Sequence, residues 1–162
     1  MAQGRGYTVS SGLVPGTTTT QTPIIFATAS STVSADIVGI RVSCPAGGTA
    51  PTYPSNASVK FTLAKTTGGA GTATTIPRAT NNTDIAANSA WYTGWSTAPT
   101  VGNIIWEHNL PFSAGADWGE IFAPGLERRL GGTGSADQLA VFVTPSAVAV
   151  ATDFEVGIDF IE

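Results

Sequence analysis

Hydrophobic residues recur along most of this chain at every second position. In "DIVGIRVSC" (36–44) the alternation places Val38, Ile40, Val42 and Cys44 on one face. In "ASVKFTLAK" (57–65) it turns Val59, Phe61 and Leu63 inward and Lys60 and Thr62 outward. "NIIWEHNL" (103–110) sets Ile104, Trp106, His108 and Leu110 against Ile105, Glu107 and Asn109. "DQLAVFVT" (137–144) aligns Leu139, Val141 and Val143, and "DFEVGIDFIE" (153–162) aligns Phe154, Val156, Ile158 and Phe160. A period of two marks a strand with one buried face. Shorter apolar runs, "PIIFAT" (23–28), "EIFA" (120–123) and "AVAVA" (147–151), are further strand candidates. Between the runs lie "PAGGTAPTYPSN", "TTGGAGTATT" and "GGTGSAD", whose Gly and Pro suit tight reversals. One or two helical turns are expected only in "TDIAANSAW" (83–91), capped by Thr83 or Asp84. Many short strands with frequent turns predict an all-β fold, an antiparallel β-sandwich or jelly roll.

The opening residues differ in kind. "GYTVSSGLVPGTTTTQTP" is rich in Gly, Thr and Pro and has little apolar periodicity. Residues 1–33 are therefore expected to form an extended N-terminal arm, laid against its own sandwich or a neighbouring subunit, ahead of a sandwich domain over 34–162.

Composition narrows the function. Charged residues are 11% of the 162, well below the roughly 25% of ordinary soluble domains. Thr, Ser, Ala, Asn and Gly must then cover much of the surface, which suits a protein that partners cover. The formal charge is −4, and the seven basic residues are scattered apart from Arg128-Arg129. Nucleic acid is thus not expected as a partner, because phosphate binding needs clustered Lys and Arg. No apolar run approaches the ~18 residues of a membrane span, and the N-terminus lacks a signal-peptide core, so no membrane association and synthesis in a cytoplasm are expected. The single Cys44 allows no intrachain disulfide and reads as a small buried hydrophobe.

Candidate chemistry is sparse. His108 is the only histidine; its neighbour Glu107 points to the other side of a strand, and no nucleophile elbow is present. Glu107, Asp117, Glu120 and Glu127 could supply a glycosidase pair, and Trp91, Trp95, Trp106 and Trp118 could stack on sugars. Isolated Cys44 and His108 give no zinc spacing, and "GGTGS" lacks the Lys-Ser/Thr of a phosphate loop. No catalytic residue, metal or cofactor is expected.

The stretch "NLPFSAGADWGEIFAPGLERR" (109–129) instead reads as an interface. Trp and Arg dominate interface energetics, so Phe112, Trp118, Glu120, Glu127, Arg128 and Arg129 are the candidate contact residues. Pro124-Gly125 suits the centre of a type II turn.

From about residue 103 to 162, the Pro-Gly turn, "ERRL", the strand "QLAVFVT", the link "PSAVAVAT" and the acidic-ended last strand resemble the ending of small jelly-roll virion proteins of tailed bacteriophages. The resemblance implies a non-enzymatic structural protein: a capsid decoration (cement) or minor capsid protein, acting as a homotrimer bound to the major capsid protein on the outer virion surface. Two other readings stand beside it, a carbohydrate- or receptor-binding module of a fibre or tail, and another head–tail component.

Overall fold

The computed structural model of the chain describes residues 5–16, 19–29, 33–44, 57–71, 78–79, 82–111, 115–126, 128–131, 137–146 and 152–162. Thirteen strands are described: β1 (Gly6–Ser10), β2 (Val14–Gly16), β3 (Thr22–Thr28), β4 (Ala35–Cys44), β5 (Ser58–Thr67), β6 (Arg78–Ala79), β7 (Asn82–Ala86), β8 (Ala90–Tyr92), β9 (Thr100–Pro111), β10 (Ala116–Ile121), β11 (Arg128–Leu130), β12 (Gln138–Pro145) and β13 (Thr152–Ile161). They form two antiparallel sheets packed face to face. The eight-stranded sheet runs β10-β4-β13-β1-β6-β7, with β11 also on β4 and β2 also on β13. The five-stranded sheet runs β8-β3-β12-β5-β9.

The alternating runs build the core between the sheets. Phe154, Val156, Ile158 and Phe160 of β13 face Val59, Phe61 and Leu63 of β5 and Leu139, Val141 and Val143 of β12, all 2% exposed or less. Phe61 meets Phe154 edge to face at 5.9 Å, while Tyr7 and Trp91 pack on Phe160 at 5.2 and 5.0 Å. Buried aromatic pairs of this kind add about 0.5–1.5 kcal/mol beyond their area.

Two bulges shift the expected phase. In β4, Val38 is an extra residue opposite the Asp159/Phe160 step of β13, so Ile37 is buried in place of Val38 while Ile40, Val42 and Cys44 keep their inward positions. In β9 a register shift against β5 turns Ile104 out to 52% exposure and tilts Ile105 toward the core, whereas Trp106 and Leu110 are buried as the pattern predicts. A bulge adds one residue to one strand and so inverts the facing of everything beyond it.

The expected arm is not an arm among the described residues. Tyr7 and Val9 of β1 are buried, and β1 pairs with β13 over five residues. "PIIFAT" forms most of β3, paired with β12 on one side and β8 on the other, with Ile24, Ile25, Phe26 and Ala27 at 0% exposure. A continuous apolar run is what a strand covered on both faces requires, and leaving it outside the sandwich would strand that surface in water. The helical turns expected at 83–91 are likewise strands, β7 and β8, because sheet pairing and the burial of Trp91 outweigh a weak local preference. "AVAVA" (147–151) lies outside the described residues.

The outer face of the five-stranded sheet is covered by the chain's own turns. Phe26, Ala64, Ala140 and Phe142 point away from the main core yet are buried, under Tyr92, Trp95 and Val101. Tyr92 stacks on Phe26 at 4.3 Å. The β5 end and the β8–β9 connection are tied over this face by an Ala70–Thr97 bridge, and Gln138 both accepts from the Gly69 N–H and donates to its carbonyl.

Candidate interaction surface

The edge where β9 and β10 meet gathers much of what the sequence singled out. Each is the last strand of its sheet, so the sandwich interior would open to water between them. Large flat side chains close it. His108 and Trp118 stack at 3.8 Å between ring centroids, 15° from parallel, and Trp106 lies 5.7 Å from Trp118. Trp106 is only 9% exposed, and its indole N–H donates to Glu120 Oε2 at 2.8 Å. A buried indole needs an acceptor, and a carboxylate makes a stronger one than a neutral group. Trp118 and Glu120 therefore serve this seam from β10, with His108, ten residues before Trp118 in the chain and on the other sheet, as a partner that no local pattern brings to them.

The other expected contact residues are engaged within the chain. Arg129 grips Asp36 with Nε at 2.7 Å and Nη2 at 3.1 Å, across the β11–β4 pairing. The Arg128 guanidinium lies 4.9 Å above the Phe122 ring, and its Nη1 donates to the Leu126 carbonyl at 2.6 Å. The turn between β10 and β11 closes with the Leu126 N–H on the Ala123 carbonyl and Gly125 at φ +86°, the type II geometry expected of Pro124-Gly125. Phe112 and Glu127 lie outside the described residues.

The carboxylates considered for glycoside chemistry face different ways. Glu107 is on the outside of the five-stranded sheet, where the Lys60 ammonium, hydrogen-bonding at 3.0 Å, holds its carboxyl below the usual value. Asp117 is exposed on the outside of the eight-stranded sheet, and Glu120 points into the seam. Three acids on three surfaces do not flank one scissile bond. Burial pushes the Cys44 thiol up to about 12, so it stays protonated and unreactive. Among the described residues, no three His, Cys, Asp or Glu side chains gather to hold a metal ion, and no helix is long and apolar enough to cross a membrane.

A second surface was not legible in the sequence. On the outside of the eight-stranded sheet, register aligns Ser10, Gly157, Arg41 and Gly119 in one row across four strands. The next row toward one end is Thr8, Asp159, Gly39 and Ile121, and toward the other Glu155, Ser43 and Asp117. Glycines at 39, 119 and 157 leave the sheet without side chains there. A Cβ on Gly157 would stand 3.4 Å from Arg41 Nε, and one on Gly119 3.2 Å from Arg41 Cγ. Arg41 thus lies along the sheet toward Asp159, 3.4 Å away. It divides two hollows of about 430 and 470 Å³, one bounded by Asp117 and Glu155, the other by Ile121 and Asp159. Ile121 is 86% exposed. Three distant segments supply the glycines, so only strand pairing brings them together.

No family model, no curated protein and no solved structure matches the chain.

Proposed function

We propose that this is a non-enzymatic structural protein that works by docking on other protein subunits, and specifically a jelly-roll virion protein that decorates the outer capsid shell as a homotrimer on the major capsid protein. The observation that carries the reading is the strand order. β1-β13-β4-β10 in one sheet faces β3-β12-β5-β9 in the other. We read those eight strands, in chain order, as the two Greek keys of a jelly roll, an architecture of viral capsid proteins and also of lectins. The five further strands β2, β6, β7, β8 and β11 only extend the two sheets.

The tryptophans favour the structural reading over the lectin one. A sugar-binding platform needs aromatic faces open to solvent. Trp91 and Trp106 are buried, Trp95 packs edge-on against Phe26, and Trp118 has a ring face against His108. The low charge and acidic balance further suit a partner-covered shell surface that avoids the genome. Native mass spectrometry over a dilution series tests the assembly, with a trimer that persists on dilution expected. A monomer at every concentration that also gives hits on a glycan array overturns the reading in favour of a receptor-binding module.

A further inference from the structure

The outer face of the eight-stranded sheet is built to receive something. Among the described residues no chain segment lies over it, in contrast to the other sheet. Its centre is floored by three glycines, and its edge presents Ile121 at 86% exposure beside a hollow of about 470 Å³. Isolated exposed apolar residues are ordinary. An isoleucine that borders one hollow of a sheet face whose other hollow carries two acids without a cation is a more specific arrangement.

The charges indicate the occupant. Arg41 answers Asp159, and Arg129 answers Asp36. Asp117 and Glu155 have no Lys or Arg partner among the described residues; Glu155 accepts only from the Ser10 hydroxyl at 2.8 Å. They stand either side of Ser43 at one end of the hollow of about 430 Å³. A second copy of the chain offers them few cations among the described side chains: Lys60, Lys65, Arg41 and Arg129 hold carboxylates of their own chain and Arg128 is laid on Phe122, which leaves Arg5. For a sugar the face offers a single aromatic at its rim, Trp118, one ring face of which is already stacked on His108.

We propose that this face docks an extended basic segment of a different protein, with a Lys or Arg seated between Asp117 and Glu155 and an apolar side chain seated against Ile121 over Gly119. Asp117 and Ile121 are four residues apart on β10, about 13 Å along a strand. The matching partner segment therefore carries its cation and its apolar residue four positions apart on one face. The inference rests on the reading of the chain as a docking protein and names the surface it uses.

The test is an NMR titration of the intact protein with a synthetic peptide of Thr and Ser that carries one Lys and, four residues on, one Leu. A peptide with Glu in place of Lys is the control. Shifts confined to Gly39, Ser43, Gly119, Ile121 and Gly157 are expected with the Lys peptide, weakening as salt is raised. The double variant Asp117→Asn/Glu155→Gln should bind about tenfold more weakly, through loss of two exposed charge contacts. Ile121→Ser should weaken binding while leaving the circular dichroism and the denaturation midpoint in place. Absence of shifts on this face, shifts indifferent to these variants, or equal binding of the Glu peptide overturns the proposal. So does loss of the protein's own oligomer in the variants, which would make the face a contact between copies. A persistent trimer with no peptide binding removes this surface and leaves the structural role standing, so the two failures are distinguishable.

Discussion

Outside the five-stranded sheet, Phe26 and Phe142 are 0% and 2% exposed; outside the eight-stranded sheet, Ile121 is 86% exposed and Arg41 lies across glycine. Both faces belong to antiparallel sheets with the same pleat, and both inner faces are packed with Val, Ile and Phe. The difference lies in what the chain places on top. Tyr92, Trp95 and the turn around Gly69 lie on the first face, giving it a small second core. The described residues leave the second face to solvent. A sheet face covered by its own chain must be fixed by packing, whereas a bare one keeps polar, charged and missing side chains with little effect on stability. That freedom is what allows a bare face to be shaped for a partner.

Truncation should separate the two faces most strongly. Phe142→Ala should cost about 3–5 kcal/mol, as for a buried core aromatic, while Ile121→Ser should stay within about 0.5 kcal/mol. Guanidinium unfolding of the two variants measures both; equal losses would mean that the two faces do not differ as described. The seam that joins the sheets at β9 and β10 should fall between these limits. Glu120→Ala leaves the Trp106 N–H without its acceptor, and about 1–3 kcal/mol should be lost, together with a changed near-ultraviolet dichroism of the stacked indoles.

Glycines sharpen the contrast. On the covered side, a Cβ at Gly71 would stand 2.6 Å from the Gly94 carbonyl oxygen, and backbone must move to admit it. Gly71→Ala should therefore cost about 1–3 kcal/mol. On the bare side, a Cβ at Gly119 meets the flexible Arg41 stem at 3.2 Å and the Ile40 carbonyl oxygen at an ordinary 3.6 Å, and Gly119→Ala should change stability by less than about 0.5 kcal/mol while partly filling the trough. Similar costs in the same unfolding assay would erase the distinction.

The smallest effect concerns pH. Glu107 is held below its ordinary value of 4.5, first by the hydrogen bond from Lys60. A lowered folded-state value means that this stabilisation is present above 4.5 and fades as pH falls through the lowered value. Lys60→Met should return the Glu107 titration, followed by carboxyl NMR, toward 4.5, and flatten that part of the stability curve. Both groups are exposed, so the change in overall stability should be slight.

The fold class and the main core were legible in the order of residues alone. A period of two, repeated in five long runs, needs only local chain geometry to put Val59, Phe61, Leu63, Phe154 and Val156 on buried faces. The Pro124-Gly125 turn was legible for the same reason, since it depends on backbone preferences of adjacent residues. Tertiary structure alone decided the rest. It placed residues 6–10 and the strand candidate at 23–28 in the two sheets, because pairing with β13 and β12 depends on strands more than a hundred residues away in sequence. It moved Ile37 and Ile105 toward the core through bulges, which depend on the length of the opposing strand. It set His108 against Trp118, and it aligned Gly119 and Gly157 either side of Arg41, because register between strands far apart in sequence is fixed by how the whole sandwich packs.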